Sequence, residues 1–390
     1  MGGLHVSGEF DALIERIRAI GPVLEDNADH SEELGRLNDE TADALTSTGV
    51  LRMGVPADLG GYELSPIQAM RAIAEVSYHD ASAGWVVMAL QLATGTTPAY
   101  LGHDVVDDLY PDVRSGHHAV IAGQGTKPGA AVRVEGGHRI SGDWQFASGV
   151  SMATHIHTAA FCADEGRGLV FTLPIEQVVL EDNWDVMGLR ATGSNDYSIR
   201  DVFVPASYTY EATCLEPRIG GALYRLGLAN MGICHTGWAL GVGRRMLDEM
   251  RALAARKTGA PGAGVDTQQF HAEYARAEAQ HRAARAFSFE TWRDCEDTLD
   301  SGSPLSTEQE TLTRLVLNHT TSSVHEVGQT VYRWAGTAAL RRGVLQRFFR
   351  DLHGGTQHVT SSPGVLQSCG KLLSGLSSGR WAFLSLVEQG

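Results

Sequence analysis

The sequence predicts an α+β chain in three consecutive parts: an N-terminal helical domain (1–116), a middle antiparallel β domain (117–217) and a C-terminal helical bundle (218–390). Three observations predict it. Apolar residues recur at helical spacing early in the chain, as Phe10, Leu13, Ile14, Ile17 and Ile20, and again as Ile67, Met70, Ile73 and Ala74. From about residue 118 to 215 the texture changes to short β-prone runs separated by Gly, Pro and Asp. From about residue 219 long stretches rich in Ala, Leu, Arg and Glu return.

Taken in order, the first helices are split by Gly54-Val55-Pro56-Ala57-Asp58-Leu59-Gly60-Gly61-Tyr62, whose Gly and Pro content marks a turn-rich loop. The runs Ala119–Ala122, Ala131–Val134, Thr158–Phe161 and Leu169–Leu173 read as strands, and their spacing suggests a compact antiparallel barrel or sandwich. The C-terminal helices are interrupted near Thr258–Val265 and Asp300–Ser306.

A chain of 390 residues can bury a large core in two or three domains. Its net charge of -15 argues against nucleic acid and against an acidic membrane surface as partners. No apolar run approaches the length of a membrane span. The segment Met1-Gly2-Gly3-Leu4-His5 has neither a basic nor an apolar stretch, so no signal peptide is expected. Five scattered cysteines without a Cys-x-x-Cys pair suggest neither a disulfide framework nor a metal knuckle, and a reduced cytoplasmic protein is expected. His117, His118, His155 and His157 have no acidic or thiol partner at ligand spacing, so no metal is expected and they read as surface or pocket lining. Gly241-Val242-Gly243 lies within a helix-like run and lacks the third glycine of a dinucleotide fingerprint, so no nicotinamide site is expected. Neither a Gly-x-Ser-x-Gly elbow nor a Walker loop is present.

Two segments about forty residues apart carry the functional signal. In Gly142-Asp143-Trp144-Gln145-Phe146-Ala147-Ser148-Gly149, strand alternation puts Trp144, Phe146 and Ser148 on one face, with Gly149 open to close approach by a ligand. In Gly188-Leu189-Arg190-Ala191-Thr192-Gly193-Ser194 a polar turn leads into the strand Tyr197–Pro205. The residues alone leave two readings open: the buried face of a strand followed by a turn, or aromatic walls and aimed donors for a flat ring with a polar rim. As a pair, the segments resemble the flavin-facing strands of the acyl-CoA dehydrogenase superfamily. Trp-x-Phe-x-Ser-Gly is similar to its branch of two-component (group D) flavin-dependent monooxygenases. The helical, β, helical order and the Pro-x-x-x-Gly-Gly loop at Pro56–Gly61 fit the same fold.

The resemblance extends to four further places. Asp80-Ala81-Ser82-Ala83-Gly84-Trp85 resembles a stretch whose tryptophan lies near flavin and substrate; a helix N-cap followed by a core tryptophan is the other reading. Arg256, before Lys257-Thr258-Gly259, stands where the family places an arginine on flavin phosphate, although a cation at a helix C-terminus needs no ligand. Gly336 and Thr337 lie in a segment that, in the family, completes the flavin site of a neighbouring subunit; a helix ending in glycine explains them too. Arg350-Asp351 is a superfamily mark. The catalytic glutamate that acyl-CoA dehydrogenases commonly carry after it falls here on Val359, and no Asp or Glu lies between Asp351 and Glu388. The base that removes a thioester α-proton is missing there, though some dehydrogenases carry it on an earlier helix. His353 and His358 stand in this stretch instead. His358 fits the family's histidine beside the flavin, and neutral imidazole can take a proton near neutral pH; His353 reads as a polar helix-face residue.

The resemblance therefore implies the oxygenase component of a two-component monooxygenase. It would use O2 and reduced flavin (FMNH2 or FADH2), supplied by a separate NAD(P)H-dependent flavin reductase, to hydroxylate a small, aromatic substrate as a homotetramer. Trp85, Trp144 and Phe146 would wall the site. Ser148 would hydrogen-bond near the flavin N5 edge beside Gly149, Arg190, Thr192 and Arg256 would hold rim and phosphate, and His358 would assist proton transfer. The alternatives are an FAD-dependent acyl-CoA dehydrogenase with a relocated base and a catalytically silent flavoprotein of the same fold.

Overall fold

A computed structural model describes residues 7–387; the Met1–His5 segment, read as no signal peptide, lies outside them. In chain order come α1 (Ser7–Leu34), α2 (Asp39–Thr48), α3 (Pro66–His79), α4 (Ala81–Leu101) and α5 (His103–Leu109). The strands follow: β1 (Ile121–Val134), β2 (Gly137–Ala147), β3 (His155–Cys162), β4 (Arg167–Pro174), β5 (Val179–Leu180), β6 (Asn195–Pro205) and β7 (Thr209–Glu211). Then come α6 (Met231–Lys257), α7 (Gln268–Asp300), α8 (Thr307–Ala335), α9 (Val344–Gly355) and α10 (Pro363–Leu373), and a terminal hairpin of β8 (Arg380–Ala382) and β9 (Ser385–Val387). Helices thus flank a β region in sequence, as expected. No helix of the described residues is long and apolar enough to cross a membrane.

The chain divides into two compact units. One comprises Met1–Ser65, Trp85–Asp185 and Arg190–Asn230; the other comprises Pro66–Gly84, Val186–Leu189 and Met231–Gly390.

In the first unit, seven strands form one sheet in the order β5-β6-β2-β1-β3-β4-β7. Every pairing is antiparallel except β1 with β3, which run parallel with Ile121 opposite His155. The expected antiparallel domain is therefore a mixed sheet. The reason is that β2 turns back along one edge of β1, and the chain then crosses to begin β3 beside the start of β1. Gly123 makes that pairing possible: a Cβ there would lie 1.9 Å from the His157 carbonyl oxygen. The core joins Val55, Ala93, Leu101, Val105, Tyr110 and Ile121 with their neighbours. The loop Gly54–Tyr62 is tight as expected, since a Cβ at Gly61 would sit 2.1 Å from the Val55 carbonyl oxygen.

In the second unit, α6 packs on α3 and α8 through small residues. A Cβ at Gly241 would lie 2.2 Å from the Ala74 carbonyl oxygen, and one at Gly243 would press on Val324 and His281. The Gly241-Val242-Gly243 run is thus a helix-packing surface. Side chains cap two of these helices. Thr267 caps α7 through the Phe270 amide, and Ser306 with Gln309 forms a capping box on α8.

Candidate active site

The two motifs meet in the first unit. The Gly149 amide donates to the Thr192 carbonyl oxygen at 2.9 Å, which ties the end of β2 to the turn before β6. Above that tie runs a line of buried polar groups. Trp85 Nε1–H donates to Ser148 Oγ at 3.1 Å, Ser148 Oγ lies 2.7 Å from Ser194 Oγ, and Ser194 Oγ lies 2.7 Å from Thr192 Oγ1. All four side chains are buried. The sequence brought Ser148, Thr192 and Ser194 forward as separate donors; the fold makes them one connected chain with Trp85 at its end.

Gly149 has φ of 73°, where a side chain is strained. It lies close against helix α4: a Cβ there would lie 2.8 Å from Val86 and 3.0 Å from Leu90. That contact holds Trp85 one helical neighbour away over Ser148.

The aromatic pair does not share a face. Trp144 is 1% exposed, stacks on Tyr197 at 5.4 Å between ring centroids, and donates from Nε1 to the Ala159 carbonyl oxygen at 3.1 Å. Phe146 is 58% exposed. The cause is a bulge in β2 between Trp144 and Ala147, where Phe146 takes φ of 66° and Asp196 accepts its backbone N–H at 3.2 Å. Trp144 is therefore a core residue beneath the sheet surface. Phe146 turns out toward Trp184, edge to face at 6.1 Å. Trp184 was not foreseen, because it lies in a polar, irregular stretch with no periodicity. A cavity of about 310 Å³ in the same unit is lined by Trp184, Arg190, Arg36, Asn195, Glu32 and Asp182, among others. Arg190 lines this concave surface together with a second arginine, Arg36, that had no motif to mark it.

In the second unit, Asp80 caps α4 by accepting the Ala83 amide at 2.7 Å and also lies 3.6 Å from Arg347, both side chains being buried. Arg350 and Asp351 grip the start of the second motif. Arg350 donates to the Met187 carbonyl oxygen at 2.8 Å, and Asp351 accepts the Leu189 amide at 2.5 Å.

His358 lies just past α9 and is half-buried. Its Nδ1 accepts the Thr360 backbone N–H at 3.3 Å and lies 2.8 Å from the Thr360 hydroxyl. A backbone N–H can only donate, so in neutral His358 the proton resides on Nε2. Its ring is 4.1 Å from that of His235, on α6, with 35° between planes. Burial first, then the neighbouring His235, pushes the His358 pKa well below the usual histidine range. Burial likewise lowers His235 to about 4. The expectation that His358 takes a proton at neutral pH meets two obstacles, a committed Nδ1 and a site that resists charge; the proton that the neutral ring carries sits on Nε2. His235, an isolated histidine in an otherwise apolar turn, gave no sequence signal. His353 is not a solitary helix-face residue: its Nε2 is 3.1 Å from His325 Nε2, and its Nδ1 donates to the Phe349 carbonyl oxygen at 2.8 Å.

Arg256 is exposed in the last turn of α6. Gly336 ends α8 with φ of 59° and, like Thr337, is exposed. The adjoining Lys257 ammonium donates to the Ala335 carbonyl oxygen at 3.1 Å, so these two helix ends are held together.

One unforeseen cluster, His138, Cys162 and Glu165, has its potential ligand atoms within 4.8 Å of one another. His138 Nε2 is already 2.9 Å from Glu165, which also pairs with Arg167 and lies 3.9 Å from Arg133. With two guanidinium groups on the carboxylate, the cluster works as an ion-pair network. Hydrogen bonds from His138 and Arg167 hold Glu165 below the usual carboxylate range.

Family models describe the chain at both ends: the N-terminal domain of acyl-CoA dehydrogenase matches residues 12–105, and its C-terminal domain matches residues 233–363. Indole-3-acetate monooxygenase of Pseudomonas putida is 30% identical over 377 residues, covering 94% of this chain and 93% of that protein. The flavin-dependent monooxygenase oxygenase subunit HsaA of Rhodococcus jostii is 27% identical over 374 residues, covering 90% and 94%. In fold, the HsaA monooxygenase of M. tuberculosis superposes with a TM-score of 0.88 at 22% identity, covering 96% of this chain and 99% of that one. Fold and relatives together define a flavin-dependent oxidoreductase. The chain belongs to the acyl-CoA dehydrogenase superfamily, in its branch of flavin-dependent monooxygenase oxygenase components.

Proposed function

We propose that this chain is the oxygenase component of a two-component system that takes reduced flavin from a separate NAD(P)H-dependent reductase and uses O2 to hydroxylate a small aromatic molecule. The observation that carries this over a dehydrogenase is Val359. It occupies the position where a catalytic glutamate would stand, is 44% exposed, and has no Asp or Glu between Asp351 and itself. The names of the relatives favour an aromatic substrate, since they include an indole-3-acetate monooxygenase and an FADH2-dependent resorcinol hydroxylase, oxygenase component.

The donor set fits a flavin: exposed aromatic surface at Phe146, buried hydroxyls ending at Ser148, and arginine in a cavity. Bound reduced flavin would supply the electrons that activate oxygen. For its part, the chain would wall the ring with Phe146, Trp184 and Trp85, and would hydrogen-bond its N5 edge through Ser148. Arg190, Thr192 and Arg256 would hold the rim and phosphate, Gly149 keeping Ser148 in place, and Gly336 and Thr337 would complete the flavin site of a neighbouring subunit. His358 would hold a proton at Nε2 for the substrate or its oxygenated product. A homotetramer belongs to the same reading, supported by the exposed Leu366, Leu373 and Leu376 around α10. So does a cytoplasmic location, where a nicotinamide-dependent reductase would meet it.

The test is turnover with a flavin reductase, NADH, O2 and a panel of phenols and indoles, with products read by mass for one added oxygen atom. Such a product, dependent on the reductase, is expected. NADH oxidation by the chain alone, or anaerobic bleaching of its flavin by an acyl-CoA thioester, would overturn the reading.

A further inference from the structure

We propose that Ser194 and Thr192 are positioning residues that let Ser148 switch between donating and accepting a hydrogen bond, so that one site can hold both oxidised and reduced flavin. The inference rests on the reading that Ser148 faces the flavin N5 edge.

The geometry is a line of three buried hydroxyls, Ser148–Ser194–Thr192, with both oxygen–oxygen spacings at 2.7 Å, and an indole N–H fixed on Ser148 at 3.1 Å. A hydroxyl has one proton to donate and two lone pairs to accept with. The indole can only donate, so it fills one lone pair of Ser148 permanently. Two proton arrangements are then open to the line, with the Thr192 proton directed to Ser194 in the first and away from Ser194 in the second. In one, Thr192 donates to Ser194 and Ser194 to Ser148, which fills the second lone pair of Ser148 and turns its own proton outward. In the other, Ser148 donates to Ser194 and Ser194 to Thr192, which leaves a lone pair of Ser148 outward. Each hydroxyl keeps its own proton; the change is rotation about three C–O bonds, and no covalent bond forms or breaks.

Flavin chemistry asks for both arrangements. N5 of the oxidised ring carries a lone pair and accepts; N5 of the reduced ring carries a hydrogen and donates. A lone serine in an apolar wall could meet either partner, but in the accepting state its own proton would be left buried without an acceptor, which is costly. Ser194 supplies that acceptor, and Thr192 does the same for Ser194.

The experiment measures dissociation constants of FMN and FAD, each in the oxidised form aerobically and in the dithionite-reduced form anaerobically, by quenching of tryptophan fluorescence. Ser194→Ala is expected to weaken reduced flavin about three- to tenfold and oxidised flavin less than about twofold. Ser194→Thr, which restores the hydroxyl, is expected to recover the wild-type ratio of the two constants. Thr192→Val should move the ratio in the same direction by less. Trp85→Phe should weaken both forms alike, because the indole donates in either arrangement. Melting curves identify any variant that fails to fold, and Thr192→Val then carries the test in place of Ser194→Ala. Equal weakening of both forms by Ser194→Ala, with Ser148→Ala shifting flavin binding, overturns the switch and leaves Ser148 in the site. Ser148→Ala with both affinities unchanged overturns the placement of flavin against Ser148, and the switch with it.

Discussion

His235 and His358 present each other with a ring and a shared aversion to charge. Because burial lowers His235 to about 4, the folded chain resists protonating it while the unfolded chain accepts a proton near pH 6.5. The contribution to stability is intact above about pH 6.5 and is lost as pH falls toward 4. A shift of that size corresponds to about 3 kcal/mol for His235. The melting temperature is therefore expected to drop steeply over that interval, and His235→Phe should flatten the drop; an equally steep fall in the variant would remove His235 from the acid response. His157, lowered to about 4 by burial, contributes in the same direction. For His358, replacement by alanine removes an aimed Nε2–H donor and is expected to cut hydroxylation by about 100-fold and leave flavin affinity nearly unchanged. Between pH 6.5 and 8 the wild-type rate should show no titration belonging to His358, since it is held neutral throughout. If His358→Ala works at close to the wild-type rate and His353→Ala is inactive, the role belongs to the His325–His353 pair. The individual polar residues of the site were legible because motif and chemistry coincide at Ser148, Thr192 and Ser194. His235 was not, because nothing in a sequence tells a buried histidine which distant ring it will meet.

Between elements, close backbone contact decides the outcome. Gly188 begins the second motif, and a Cβ there would lie 2.0 Å from the Arg350 carbonyl oxygen on α9. Gly188→Ala is expected to pry Met187–Leu189 from Arg350 and Asp351 and to cost about 1–3 kcal/mol, measured by chemical denaturation; a loss below about 0.5 kcal/mol would mean that α9 yields easily. At the start of α8 the capping box predicts a separate effect: Ser306→Ala should cost about 1 kcal/mol. Helical runs and the breaks near Thr258–Val265 and Asp300–Ser306 were plain in the sequence, since periodicity and turn signals act locally. The β region was legible as strands but not as a pairing scheme. Strict alternation put Trp144 and Phe146 on one face, and a one-residue bulge held by Asp196 undid it. The parallel β1–β3 pair depends on a crossover that no local pattern records.

For the whole protein, the expected phenotype is dependence on others: useful NADH oxidation should appear only when a reductase is added, and product only when oxygen and an aromatic acceptor are both present. Acyl-CoA thioesters should leave bound flavin coloured, because Val359 offers no carboxylate at the usual place. Helical, β and helical regions were readable from periodicity and turn residues, yet the chain does not build its compact units in that order. It passes from one unit to the other five times, at Ser65/Pro66, Gly84/Trp85, Asp185/Val186, Leu189/Arg190 and Asn230/Met231. A gene recombined at any single one of these junctions would divide at least one unit between the two parents. Homologous exchange between such oxygenases should therefore succeed by scattered substitution and fail by block swapping, so new substrate ranges would arise residue by residue on an undivided reading frame.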